Sequence, residues 1–398
     1  MFASRTHWRL ETNRLTRAIE EHRRSGDRLL DLTASNPTEC GLVYPENEIL
    51  AALADPRGLA YRPESKGLRE AREAVAEYYC GRAGFSAGAR PIDSERILLA
   101  SGTSEAYSHI FRLLCEPGDE ILVPAPSYPL FEFLADLADI RLVAYPLLYD
   151  HGWQIDFASL RAALTPRTRA VLVVHPNNPT GSFVKEREVA ELADICGARE
   201  VAIVADEVFL DYADTKPAQT FAFHGAALTF TLSGLSKISL LPQMKLAWTM
   251  VSGPEALVQT AIQRLEIIAD TYLSPSTPVQ LALAKFLPFR HALQEQLQRR
   301  ISVNLSVLDG MLSESKSLSR LEREGGWYAI LRVPVTATDE DLAVALLDKA
   351  SVLVHPGHFF NFSRDGFLVL GLISPEAEFR EGIRRLLDFF DSESQGKL

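Results

Sequence analysis

The sequence predicts an α/β protein with a large domain built on a mostly parallel sheet and a smaller α+β domain. Three observations carry this. Short apolar runs without clean alternation recur from residue 97 to residue 231, as strands buried on both faces do. Helix-like segments separate those runs. Beyond residue 316 the pattern becomes a shorter mixture of strand and helix pieces, and 398 residues is enough chain for more than one core.

Residues 8 to 25 place Leu10, Leu15, Ala18 and Ile19 among charges, which predicts an amphipathic helix or arm. Leu29-Leu30-Asp31-Leu32 then leads into the turn-rich Ser35-Asn36-Pro37-Thr38. A helix follows over 66–80, with Leu68, Ala71, Val75 and Tyr78 on one face. Strands are predicted at 97–99, 121–123, 142–143, 170–174, 201–204 and 228–231. Long helices follow at 254–271 and 278–316, with a break expected at Leu287-Pro288 because proline removes a helix hydrogen bond. The tail offers a strand at 327–333, a helix at 338–349, strand pieces near 352–354 and 367–370, and a closing helix at 375–390. The division expected is an arm at 1–45 that joins the small domain, a large domain at 46–284, and a C-terminal small domain at 285–398.

Composition narrows the function. The formal net charge of −11 argues against a nucleic-acid partner, which needs a basic face. Cys40, Cys80, Cys115 and Cys196 are widely spaced, show no metal-ligand pattern, and read as reduced thiols of a cytoplasmic protein. The N-terminal stretch has no apolar core of a signal peptide, and no apolar run is long enough to span a membrane.

The chemistry is expected just past the strand ends, where open α/β sheets bind ligands. After the first strand, Ala100-Ser101-Gly102-Thr103-Ser104-Glu105 offers small residues, hydroxyls and a helix start, which suit a phosphate. Taken alone, the string is also an ordinary helix cap. After the second, Pro124-Ala125-Pro126-Ser127-Tyr128-Pro129 is stiffened by three prolines and presents Tyr128 as a flat face or as a core ring. After 170–174 comes His175-Pro176-Asn177-Asn178-Pro179-Thr180-Gly181, a turn whose asparagine side chains can donate to an oxyanion. After 201–204 comes Ala205-Asp206-Glu207-Val208-Phe209, where a carboxylate can pair with a protonated ring nitrogen or simply cap a helix. After 228–231 comes Leu232-Ser233-Gly234-Leu235-Ser236-Lys237, a lysine in a small-residue turn and a candidate Schiff-base amine.

In this order these strings resemble the fold-type I enzymes that use pyridoxal 5′-phosphate, specifically the class I/II aminotransferases. The likeness runs from Ser35-Asn36-Pro37-Thr38-Glu39 to the closing helix. It implies that Lys237 is the internal aldimine lysine and proton shuttle. It implies that Asp206 pairs with the pyridinium nitrogen, Asn178 bonds the ring phenolate and Tyr128 stacks on the ring. Gly102, Thr103, Ser104, Ser233, Ser236 and Lys245 would hold the phosphate. Tyr61 would reach the phosphate of the neighbouring subunit, which implies a homodimer with shared sites. Asn36, Trp327 and Arg364 are the expected substrate residues, the partners being a small-molecule amino donor and an oxo-acid acceptor.

Three positions depart from the family pattern. Lys245 stands in place of an arginine, which keeps charge but loses the bidentate fork. Phe209 replaces a tyrosine and loses a donor. Val369 occupies the place of the arginine that grips the substrate carboxylate, leaving Arg364, with His355 and His358 in the adjoining loop, as the nearest cations in sequence. The expected reaction is therefore transamination. The alternatives are elimination, decarboxylation or cyclisation on the same scaffold, and a non-catalytic cofactor-binding module.

Overall fold

The computed structural model describes residues 1–8, 10–82, 92–215 and 219–395. A short strand, β1 (Leu30–Asp31), opens the chain's pairing. The large sheet contains β2 (Ile97–Ala100), β3 (Glu120–Ala125), β4 (Arg141–Tyr149), β5 (Trp153–Ile155), β6 (Thr168–Val174), β7 (Ala202–Asp206), β8 (Thr229–Gly234) and β9 (Ala247–Ser252). Their spatial order is β2-β9-β8-β7-β6-β3-β4-β5. The central pairs β4/β3, β3/β6, β6/β7 and β7/β8 are parallel. β9 runs antiparallel to both its neighbours, and β5 runs antiparallel to β4.

The six expected strands are present, lengthened at their ends. Two were not anticipated. β9 is buried on both faces, with Trp248, Met250 and Val251 all shielded, but only a one-turn helix at Leu235–Ile238 and a tight turn separate it from β8. β5 is only three residues and gains its identity from pairing with the long β4.

The helices are α1 (Arg14–Ser25), α2 (Glu46–Leu53), α3 (Arg69–Cys80), α4 (Thr103–Leu114), α5 (Phe131–Leu137) and α6 (Phe157–Ala163). They continue with α7 (Glu186–Arg199), α8 (Leu235–Ile238), α9 (Glu255–Asp270), α10 (Thr277–Leu312), α11 (Asp339–Ala350) and α12 (Glu376–Gln395). None of the described helices is long and apolar enough to cross a membrane. The small sheet contains β10 (Ser319–Arg320), β11 (Tyr328–Arg332), β13 (His355–Pro356) and β14 (Phe367–Gly371), antiparallel in the order β10-β11-β14-β13. β12 (Val352–Leu353) pairs in parallel with β1, which ties the N-terminal segment to the C-terminal part of the chain.

The expected break at Pro288 does not occur. α10 continues through it as one helix of 36 residues. Packing explains this. Val279, Leu283, Phe286 and Leu287 enter a core shared with α3, β2 and β9. Leu293, Leu297, Ile301 and Leu308 enter the core of the small sheet. The lost hydrogen bond near a proline is a local cost of about 3 kcal/mol, whereas each fully buried leucine or phenylalanine contributes about 1.5–3 kcal/mol. Arg290 Nη1 donates to the Leu287 carbonyl at 2.7 Å beside the proline.

Candidate active site

The carboxyl ends of β2, β3, β6, β7 and β8 converge on one cleft of about 140 Å³. Thr103, Tyr128, Asn178, Asp206, Phe209, Ser236 and Lys237 line it, together with Ser35, Phe131, Val174, Val208 and Tyr328. A larger cleft of about 1060 Å³ exists, walled by residues such as Lys185, Asp214 and Arg323, but none of Lys237, Asp206 and Asn178 lines it. The chemistry therefore follows the strand ends and not the larger volume.

Asp206 ends β7 at the middle of the sheet, in register with Val174 on one side and Leu232 on the other. Its side chain is buried. Oδ2 accepts from the Tyr107 hydroxyl at 2.7 Å, and Oδ1 accepts from the Val208 backbone N–H at 3.1 Å. Burial pushes its pKa above the usual carboxylate value, while these two donors and the Lys237 charge pull it back. A cationic partner in the cleft would complete its pairing.

Lys237 sits on the short helix α8, directly beyond β8. Tyr212 donates its hydroxyl to the Lys237 carbonyl at 2.7 Å, which pins the backbone from behind. Nζ lies 4.7 Å from the Trp327 ring centroid and 5.6 Å from that of Phe209. Its hydrogen-bond contact to the Ser35 carbonyl is long, 3.5 Å. The residue is half-buried, but its amine is enclosed by rings, and this desolvation lowers its pKa to about 8, with Asp206 opposing the shift. An amine so placed is neutral far more often than a surface lysine, as Schiff-base chemistry requires.

Asn177 and Asn178 divide their work. Asn177 ties its own turn, donating to the Pro126 carbonyl and to Thr180 Oγ1 and accepting from Ser127, all between 2.9 and 3.0 Å. Asn178 faces the cleft, and its buried Oδ1 has no hydrogen-bond partner. Gly102 caps the N-terminus of α4 in an extended conformation. A Cβ at Gly102 would lie 3.4 Å from Lys245 Nζ, so glycine keeps the approach open beside a cation and a helix N-terminus. Glu105 accepts from the Ser101 N–H and the Ser274 hydroxyl, which braces this turn. A buried carboxylate short of a cation, a desolvated amine and an anion cradle fit pyridoxal phosphate, with the Asn178 side chain lining the same cleft.

The other predicted residues fall elsewhere. Ser233 is fully buried inside β8, where its hydroxyl contacts the Glu207 carbonyl at 3.4 Å. Ser104 is exposed on α4. Asn36 spends its Oδ1 on the Thr38 N–H and hydroxyl, capping a turn, and Ser35 lines the cleft in its place. Trp327 is fully buried and backs Lys237 without lining the cleft. Arg364 is exposed, its guanidinium 5.7 Å from the Phe367 ring centroid. Tyr61 is 82% exposed and does not line this chain's cleft.

Val369 pairs with Ile330 and with His355, and Tyr328 sits two residues from Ile330 on the same sheet face. The face that meets the cleft at Tyr328 thus carries Val369 where the family pattern has an arginine. Lys237 is the one Lys or Arg among the lining residues named. Sequence reasoning missed Phe131, Tyr107 and Tyr328. Of these, Tyr107 carries a helical spacing signal, following Thr103 by four residues on one helix.

A lysine of lowered basicity and a buried carboxylate sharing one cleft at the strand ends of an α/β fold define an enzyme built around pyridoxal phosphate. The sequence comparisons narrow the class. Residues 9–386 match the family model "Aminotransferase class I and II", and the chain belongs to that family. It is similar to an alanine aminotransferase of Mycobacterium tuberculosis, 28% identical over 391 residues, covering 93% of this chain and 87% of that protein. It is similar to the glutamate-pyruvate aminotransferase AlaA of Escherichia coli, 27% identical over 346 residues, covering 85% of this chain and 84% of that protein. In fold it matches an alanine aminotransferase of Pyrococcus furiosus with a TM-score of 0.88 at 24% identity, over 98% of this chain and 100% of that one. The chain is a fold-type I aminotransferase with pyridoxal phosphate as its cofactor, moving an amino group between an amino acid and a 2-oxo acid.

Proposed function

We propose that this aminotransferase uses alanine and pyruvate as one of its amino-acid and oxo-acid pairs. Support comes from the two relatives above, one named for alanine and the other for glutamate and pyruvate. The observation that carries the chemistry is the joint placement of Lys237 and Asp206 in one cleft.

Pyridoxal phosphate, when bound, supplies an aldehyde that condenses with amines and a ring that draws electron density from the substrate Cα. The chain supplies the rest. Lys237 Nζ, made less basic by desolvation, would hold the aldehyde carbon and move the proton at the substrate Cα. Asp206 holds the ring nitrogen protonated, and Asn178 bonds the ring oxygen. Tyr128 stacks on the ring face. Gly102, Thr103, Ser236 and Lys245 hold the phosphate. Residues 46–284 form the cofactor-holding domain, and 1–45 with 285–398 form the small domain. The enzyme works in the cytoplasm as a homodimer, with Tyr61 completing the neighbouring subunit's phosphate site. It takes neither nucleic acid nor a membrane as a partner.

The test is direct. Purified protein is yellow, and Lys237→Ala removes the visible band. Adding alanine bleaches the band with formation of pyruvate, and an oxo acid restores it. Release of ammonia, sulfide or carbon dioxide in place of pyruvate would overturn the reading.

A further inference from the structure

The Tyr107 hydroxyl donates to Asp206 Oδ2 at 2.7 Å across 99 residues of sequence. Both side chains are buried, Tyr107 at 2% exposure and Asp206 at 7%. Tyr107 is held from the sides. Its ring packs edge-on against Phe131 at 5.3 Å and lies 5.9 Å from Phe111. Asp206 Oδ1 already accepts from the Val208 N–H, so each carboxylate oxygen has one fixed donor and the rotamer is set. Tyr107 also belongs to α4, the helix whose N-terminus carries Gly102 and Thr103. Four residues at about 1.5 Å each separate Thr103 from Tyr107 along the axis, about 6 Å. One rigid helix therefore meets the anion cradle at its start and the carboxylate one turn later.

We propose that Tyr107 is a positioning residue for Asp206, which keeps that carboxylate ionised and aimed so that it holds the proton on the cofactor's ring nitrogen. The inference rests on the reading that Asp206 faces that nitrogen. A hydrogen bond to the charged form favours it. Without this donor, burial acts on Asp206 with the Val208 N–H and the Lys237 charge against it. A buried phenol also needs a partner simply to be satisfied, so the test must separate positioning from mere satisfaction.

The experiment uses the holoenzyme with Tyr107→Phe, Asp206→Asn and the double variant, each checked for native far-UV circular dichroism. Ring-nitrogen protonation is read by NMR of ¹⁵N-labelled cofactor, alongside kcat and KM. Tyr107→Phe keeps the ring and removes only the hydroxyl. It is expected to move the ¹⁵N signal toward the unprotonated position. It is also expected to lower kcat by about 10- to 100-fold, the range for losing a hydrogen bond to a charged group, with KM for the amino donor within about twofold. In the Asp206→Asn background the same change is expected to add little. An unchanged ¹⁵N signal in Tyr107→Phe, or equal losses in both backgrounds, would overturn the proposal. If Asp206→Asn itself leaves the ¹⁵N signal unmoved, the reading of Asp206 fails, and this inference with it.

Discussion

Lys237 Nζ lies 4.7 Å from the centroid of the Trp327 indole, so the reactive amine meets an aromatic face and not bulk water. The enclosure lowers the pKa to about 8 because lost hydration outweighs the attraction of the Asp206 charge.

This has a consequence for the cofactor-free protein. The unfolded lysine holds its proton up to the ordinary value of 10.5, and the folded one releases it near 8. Between these values the unfolded chain binds more protons, so this group's contribution to stability grows as pH rises and is lost as pH falls through about 8. Urea denaturation of the cofactor-free protein across that window will show the rise, and Lys237→Met will remove it. A flat profile that Lys237→Met leaves unchanged would contradict the enclosed amine.

Phe209 presents a carbon edge to the cleft where a hydroxyl would fit the chemistry. Phe209→Tyr adds a donor that favours an anionic group bound there. The visible band of the holoenzyme is expected to titrate about one unit lower in pH, the scale of one hydrogen bond. Spectrophotometric pH titration of the two proteins decides it.

Lys245 Nζ stands beside Gly102 as a point charge without a second donor arm. Lys245→Met is expected to weaken pyridoxal phosphate binding by about 10-fold or more, consistent with loss of a charge-assisted bond. Lys245→Arg is expected to retain binding. Equilibrium dialysis against the cofactor gives both numbers, and equal affinities for Met and Lys would remove Lys245 from the cradle.

The turn that delivers Trp327 has no room for a side chain at Gly325. A Cβ there would lie 2.4 Å from the Tyr212 carbonyl and 3.0 Å from the Phe183 ring. Tyr212 is the residue that pins Lys237. Gly325→Ala is expected to cost about 1–3 kcal/mol by overpacking. It should also lower kcat by displacing the amine. Chemical denaturation and steady-state kinetics together test this, and an unperturbed variant would show that the turn yields freely.

The strand ends were legible because buried parallel strands are written as local apolar runs, and the residues just past each run have few places to go except the crevice. Asp206, Asn178, Tyr128 and Lys237 stood out as candidates in that way, and the order of their strings carried the resemblance to the family. What remained out of reach depended on contacts between distant segments. Pro288 stays helical because two separate cores grip α10 on either side of it. β9 is a strand because β2 and β8 flank it. Asn36 and Ser35 exchange places because a turn claims the asparagine's oxygen. Tyr107 looks like any apolar-face residue of a helix until Asp206 is brought to its hydroxyl. Local pattern carries the identity of the reactive groups, since backbone and side-chain preferences are properties of neighbours in sequence. Their ionisation and partners were decided by the tertiary structure, because desolvation and hydrogen bonding depend on which remote atoms close around them.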